Sequence, residues 1–201
     1  EYKGFSFWKK TKMKQATITL FLLALFAIPT FAQEQISEER KLAIDSLAME
    51  KIRDLEKYIS IIGSKETPAS EAQRVIERAT ELFMEGSEMG VSKLGSDKIN
   101  NYPVKEYFQR LMALSYDKVQ ISWFNIQYIS DLEQMPDGKW VGVITIYQRF
   151  EGTTKEGMKY KDTTKKDITV YVERKQTQIN GRTIGFWDVL LGDVRVAETK
   201  K

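Results

Sequence analysis

The chain has 201 residues, 29% of them charged and 42% hydrophobic, and it contains neither Cys nor His. That length is one domain, or one domain with an appendage. Without Cys there are no disulfides, thiolate nucleophiles or Cys-ligated metals; without His there is no Ser-His-Asp catalysis and no imidazole metal site.

The N-terminus reads as an address. Lys9, Lys10, Lys12 and Lys14 precede an apolar run from Ala16 to Ile28, followed by Pro29 and by Ala32 before the polar Gln33. About 13 apolar residues are too few to cross ~30 Å of hydrocarbon comfortably, so the pattern describes a secretory signal peptide cut after Ala32. An uncleaved anchor is the alternative reading. Met13 reads as the natural start, with residues 1–12 upstream of it. The absence of Cys at the cut excludes a bacterial lipoprotein. Residues 1–32 hold five Lys and one Glu. Of 31 basic residues 26 then remain, and of 28 acidic residues 27, so the mature chain is near neutral. That balance offers nothing to nucleic acid. Membrane contact is expected only through the leader.

Gln33 to Gly63 is expected as one long helix. Ser37 is a suitable N-cap, and Glu38 and Glu39 suit the positive end of the dipole. Ile44, Ala48, Ile52, Leu55, Ile59 and Ile62 recur at steps of three and four and make one apolar stripe. Two uses of the stripe stay open: packing on the rest of the domain, or pairing with a partner or second copy. Gly63 suits a left-handed C′ position. Thr67 as cap and Pro68 in the first turn open a second helix, with Ala72, Val75, Ile76, Ala79, Leu82 and Phe83 inward. Ser87 to Tyr102 reads as loop, with room for a short strand near Met89 to Leu94. Val104 to Leu114 is a third helix, with Val104, Tyr107, Phe108, Leu111 and Met112 inward.

From Tyr116 the period changes to two. Val119, Ile121 and Trp123 mark a strand, continuing with a bend through Tyr128. Pro136-Asp137-Gly138 is a turn. Trp140 to Phe150 is a central strand with two apolar faces, and Gly152 to Gly157 is a turn. Tyr160 to Glu173 is a strand with Ile168, Val170 and Val172 on one face and a Lys- and Thr-rich, exposed first half. Asn180-Gly181 is a hairpin signal. Arg182 to Val196 is the last strand, with room for a bulge at Gly192 and a frayed tail from Ala197.

The expected fold class is α+β. N-terminal helices pack on a strongly curved four-stranded antiparallel sheet, with one short extra strand allowed. Curling around the helices leaves a conical interior, filled or open.

This order of elements, with Trp140-Val141-Gly142-Val143-Ile144-Thr145, Gln148-Arg149-Phe150-Glu151-Gly152, Tyr160-Lys161-Asp162-Thr163-Thr164-Lys165-Lys166 and Trp187-Asp188-Val189-Leu190-Leu191-Gly192-Asp193-Val194, resembles the nuclear-transport-factor-2-like superfamily. It looks like the exported, uncharacterised members found in Bacteroides-type bacteria. The likeness spans Pro68 to Val196, and a cystatin-like fold is the structural neighbour. The resulting division is leader 1–32, long helix 33–66 and α+β domain 67–198. The resemblance implies isomerases, dehydratases and cyclases that work in a conical pocket, beside domains that only bind. Its dehydratases depend on His, absent here. The ketosteroid-isomerase type needs an Asp base with Tyr and protonated Asp donors, and those roles find no matching positions. No catalytic residue, metal or cofactor is assigned.

Ligand-pocket candidates are Tyr107, Trp123, Trp140, Tyr147 and Trp187, which either line an apolar pocket or fill the core. Asp188 is a candidate carboxylate, although across the pleat from Trp187 it cannot share that face; Asp193 is weighed with it. Lys155, Lys159, Lys161, Lys165 and Lys166, interspersed with Glu151, Glu156, Asp162 and Asp167, read as a solvated edge. Asp131, Glu133 and Asp137 lack calcium-site spacing, and Gly90 and Gly95 make no phosphate cradle. The expectation is an exported, non-enzymatic domain that binds a protein partner or small apolar ligand, with a homodimer open. The alternative is a pocket enzyme of isomerase or dehydratase type using Asp or Glu with Tyr.

Overall fold

A computed structural model describes residues 36–92, 98–127 and 130–200. The leader, its cleavage point and Tyr128 lie outside the described residues. No described helix is long and apolar enough to cross a membrane.

Helix α1 is Glu38–Gly63, and its Ser37 cap accepts a hydrogen bond from the Arg40 amide. All six residues of the apolar stripe are at most 1% exposed. They pack within one compact unit, Ser37–Lys201. Gly63 closes the last helical turn and is itself buried; it does not take the left-handed C′ position expected of it. Helix α2 is Ala69–Thr80, one residue later than expected, with Pro68 as a cap that makes no side-chain bond. Helix α3 is Val104–Met112, burying Val104, Tyr107, Phe108 and Leu111.

The strands are β1 Glu88–Ser92, β2 Ile99–Pro103, β3 Lys118–Phe124, β4 Glu133–Gln134, β5 Trp140–Thr153, β6 Lys159–Ile179 and β7 Arg182–Lys200. They form a seven-stranded sheet in the order β2-β1-β7-β6-β5-β3, with β4 also on β5. The α+β class and the meander hold, but the four-stranded, wholly antiparallel sheet does not. The stretch 87–102, expected as loop with room for one short strand near Met89 to Leu94, supplies that strand as β1 and a further strand, β2. β1 joins β7 in parallel at Met89 and Val194, extended by a Phe83–Leu191 bridge. That pairing spans about half the chain, which local patterning does not register.

β3 and β4 share one edge of β5. Between them Asn125 turns with φ 48°, and the Gln127 and Ser130 amides still donate to Thr145 and Val143. This is the bend expected after Trp123. The Asn180-Gly181 hairpin has φ values of 51° and 75°, as a primed turn requires. The β6–β7 register slips by one residue between Ile168 and Val170, opposite Gly192. A Cβ on Gly192 would sit 2.5 Å from the Tyr171 ring, so the bulge needs glycine. The tail expected to fray continues β7 to Lys200, where Glu198 and Thr199 pair with Lys165 and Thr164.

The core lies between the helices and one sheet face. Ile121, Trp123, Trp140, Ile144, Ile146, Ile168, Val170, Val172, Val189, Leu191 and Val194 line that inner face, all at most 9% exposed.

Candidate functional site

Following the inner face of β6 toward the start of the strand shows how a site arises. Val172, Val170 and Ile168 are core. The same two-residue period then places Lys166, Thr164 and Asp162 inward. Lys166 is 3% exposed and Thr164 4%. The Lys-rich first half of this strand, expected to be a solvated edge, therefore has a buried inner row. Lys161 fits the expectation and pairs outward with Glu151 at 2.8 Å.

The inner row borders a cavity of about 300 Å³. The sheet contributes Val91 and Ser92 from β1, Tyr102 from β2, Ile121 from β3, Gln148 and Phe150 from β5, and Tyr160, Asp162, Thr164 and Lys166 from β6. Helix α3 contributes Tyr107, Arg110 and Leu111, and the segment after it Leu114 and Tyr116. The interior between helices and sheet is thus open at one end and packed at the other, because apolar inner residues give way to polar and aromatic ones along β5 and β6.

Aromatic edges build the walls. Tyr116 meets Phe150 at 5.5 Å and Phe150 meets Tyr160 at 5.9 Å between ring centroids. Gly152 lets Tyr116 approach, since a Cβ there would lie 2.7 Å from its ring. Arg110 lies over the Tyr102 ring at 4.2 Å and pairs with Glu106 at 2.7 Å.

The polar groups have uneven partners. Lys166 Nζ donates to the Gly90 carbonyl at 3.2 Å and stands 5.8 Å from the Tyr107 ring centroid. Burial pushes this amine down to about 8, against the opposing pull of Asp162. Tyr160 Oη donates to Asp162 Oδ2 at 2.8 Å, and burial followed by that bond raises the Tyr160 phenol. Burial alone raises Tyr107. Gln148 is 8% exposed, and its buried Oε1 has no hydrogen-bond partner among the described residues.

Of the sequence-derived candidates, Tyr107 lines this cavity and the others do not. Trp123 and Trp140 are buried core residues. Tyr147 stacks on Phe124 at 5.7 Å between centroids, on the outer sheet face. Trp187 lies opposite Arg174, where β6 and β7 run on past the core. Asp188 is opposite Glu173 on the outer face and binds Lys175, so it is no cavity base. Asp193 accepts the Glu88 amide at 3.1 Å. Asp131 and Asp137 pair with Lys41 and Lys139, and among the described residues no group of acidic side chains could hold a metal ion.

No protein-family model and no curated protein matches the chain. Similar solved structures include a protein described as a calcium/calmodulin-dependent protein kinase II association domain from Xanthomonas campestris. It is 13% identical over 80% of this chain and 86% of that one, with a TM-score of 0.39. Aln2 from a Streptomyces species is 12% identical over 78% and 91%, with a TM-score of 0.36. A type 2 hexachlorocyclohexane dehydrochlorinase (LinA) is 15% identical over 79% and 91%, with a TM-score of 0.34. Scores of this size leave the fold and the site to be read from the chain's own elements.

Proposed function

We propose that this protein is an exported, non-enzymatic binding domain of nuclear-transport-factor-2-like type that holds a small ligand in the open end of its interior. The observation that carries the reading is a cavity of about 300 Å³ lined by Lys166, whose buried amine bonds only the Gly90 carbonyl among the described residues, and by Gln148, whose buried Oε1 has no hydrogen-bond partner among them. Buried polar atoms are nearly always paired, so an unpaired one lining a cavity points to a ligand or water that completes it. The small volume and aromatic walls fit a ligand of one or two rings. A protein partner would complete neither buried atom, so the small ligand is favoured. The superfamily assignment rests on the order of three helices and a long meander with an interior cavity. Export rests on the Lys-rich start, the apolar run Ala16–Ile28 and the Ala32-Gln33 step.

Ligand-detected and amide-shift NMR with a library of one- and two-ring fragments tests the pocket. Hits should move the amides of Gly90, Gln148 and Lys166 together. Hits scattered over the surface, with none at those three, would sink the reading.

A second reading has one specific observation in its favour. Asp162 borders the cavity with its carboxylate bonded to Tyr160 at 2.8 Å. An Asp beside a Tyr hydroxyl in a cavity is the arrangement an isomerase or dehydratase needs, with Asp162 as base and Tyr160 as donor. Protein-dependent deuterium exchange at the α-carbon of a bound ketone, lost in Asp162→Asn, would favour this reading over simple binding.

A further inference from the structure

Two groups on the cavity floor have hydrogen-bonding capacity left over. Lys166 Nζ carries three donors, and the Gly90 carbonyl takes one of them at 3.2 Å. The Asp162 carboxylate acts on it through its charge. Gln148 Oε1 is an acceptor that receives nothing among the described residues. The two residues are diagonal neighbours on one face: Gln148 pairs with Thr164 and Lys166 with Ile146 across adjacent antiparallel strands. Long side chains in that relation reach a common point.

A ligand group that satisfies both must accept from an ammonium and donate to an amide oxygen. A hydroxyl does this with one atom. A carboxylate would satisfy Lys166 but set its charge against the unpaired Gln148 oxygen. An ether has no hydrogen to donate. An amide needs two atoms, its oxygen and its nitrogen, to do the same. The walls ask for a flat body against Tyr107, Tyr116 and Phe150. We propose that the cavity takes a phenol or enol, whose hydroxyl accepts from the Lys166 ammonium and donates to Gln148 Oε1. This rests on the ligand-pocket reading above.

The surroundings of Lys166 favour the arrangement. Asp162 faces it from its own strand and Tyr107 from α3, while Gln148 and Ile146 face it from β5, the Gly90 carbonyl from β1 and Val196 from β7. Asp162 is the one carboxylate in that set and is already engaged by Tyr160. An ammonium so placed donates to the oxygen of a neutral phenol, whose own proton is then held by Gln148 Oε1.

The test uses three probes of one shape: 4-nitrophenol, 4-nitroanisole and 4-nitrobenzoate, titrated by calorimetry into the purified full chain. The phenol should bind about tenfold more tightly than either other probe, the discrimination expected when a buried acceptor is otherwise left unpaired. Lys166→Met should weaken binding of the phenol and of the methyl ether alike, and Gln148→Leu should erase the preference for the phenol over the methyl ether. Nitroanisole or nitrobenzoate binding as well as the phenol would overturn the hydroxyl assignment and leave a ligand pocket standing. Binding by none of the three would also overturn it, while the fragment experiment decides the pocket separately. The comparison of probes on the wild-type chain needs no variant to fold.

Discussion

Replacing Lys166 by Met should make this protein more stable at neutral pH, and the gain should fade as pH rises. Burial lowers the amine from 10.5 to about 8. A cation with a depressed pKa costs stability whenever it must be charged in the fold. Below pH 8 the folded and unfolded chains carry the same proton at this site, and the cost is fully present. Between 8 and 10.5 the unfolded chain binds more protons, so wild-type stability rises with pH through that window. A displacement of about 2.5 units corresponds to about 3 kcal/mol. The Met variant removes this cost but loses the 3.2 Å bond to Gly90, worth about 1 kcal/mol. The net expectation is a variant about 2 kcal/mol more stable at pH 7, near parity by pH 10. With a urea slope of about 2 kcal/mol/M, the pH 7 midpoint should rise by roughly 1 M. Tyr107 and Tyr160 are both raised, so near pH 10 the unfolded chain loses protons there that the fold keeps, which lowers the stability of both proteins alike and cancels in their difference. The assay is urea unfolding of both proteins at four values from pH 7 to pH 10, compared as differences so that shared titrations cancel. A difference that stays flat across the series, or a variant less stable at pH 7, would refute the picture of a costly buried ammonium.

Gly192→Ala should cost about 1–3 kcal/mol in denaturant unfolding, because its Cβ would lie 2.5 Å from the Tyr171 ring and 3.1 Å from Thr169 Cβ. Ile52→Ala, at 0% exposure, should cost about 2–5 kcal/mol, while Leu42→Ala, 69% exposed on the same helix, should stay within about 0.5 kcal/mol. N-terminal sequencing of protein recovered from the periplasm of an expressing bacterium should begin at Gln33; an intact leader would remove the basis for export.

What the sequence showed of the fold was what nearby residues determine. The stripe from Ile44 to Ile62 follows from helical spacing, the Asn180-Gly181 turn from two residues that accept positive φ, and the Gly192 bulge from a glycine inside a strand pattern. β2 was missed because Asn100 and Asn101 read as loop, while the short strand for which Met89 to Leu94 left room is β1, and its place beside β7 comes from a partner far along the chain. The cavity was missed for a related reason. Trp and Tyr residues draw attention, yet Trp123 and Trp140 fill the core, and Tyr147 and Asp188 face outward. The signal that locates the site was present: the alternation Val172, Val170, Ile168 extends without interruption to Lys166, Thr164 and Asp162. A run rich in Lys and Thr suggests solvent, but a two-residue period is blind to side-chain polarity, and half of any such run faces inward when the inner face is covered. Only the position of α3 over that end of the sheet determines that it is covered.

The place of α1 in the domain follows from the same accounting. A helix outside the family-like segment invites the reading of an assembly device. Its six stripe residues are nonetheless at most 1% exposed within the chain itself. The helix also reaches the sheet through Glu56, whose carboxylate accepts the Trp123 amide at 2.9 Å. Five of the six are Ile or Leu, each worth about 1.5–3 kcal/mol when buried, so about 7–15 kcal/mol of gross stabilisation comes with this face. That is comparable to the whole net stability of a typical domain, about 5–15 kcal/mol. Removing α1 would also uncover its counterpart on α2, α3, β3 and β7. A chain beginning at Thr67 should therefore lack a cooperative unfolding transition and aggregate, whereas one beginning at Gln33 should unfold as a single unit. Circular dichroism and urea titration of the two chains separate the cases. A stable, cooperatively folded chain from Thr67 would mean that the stripe is free to serve a partner, and the helix would then be an appendage after all.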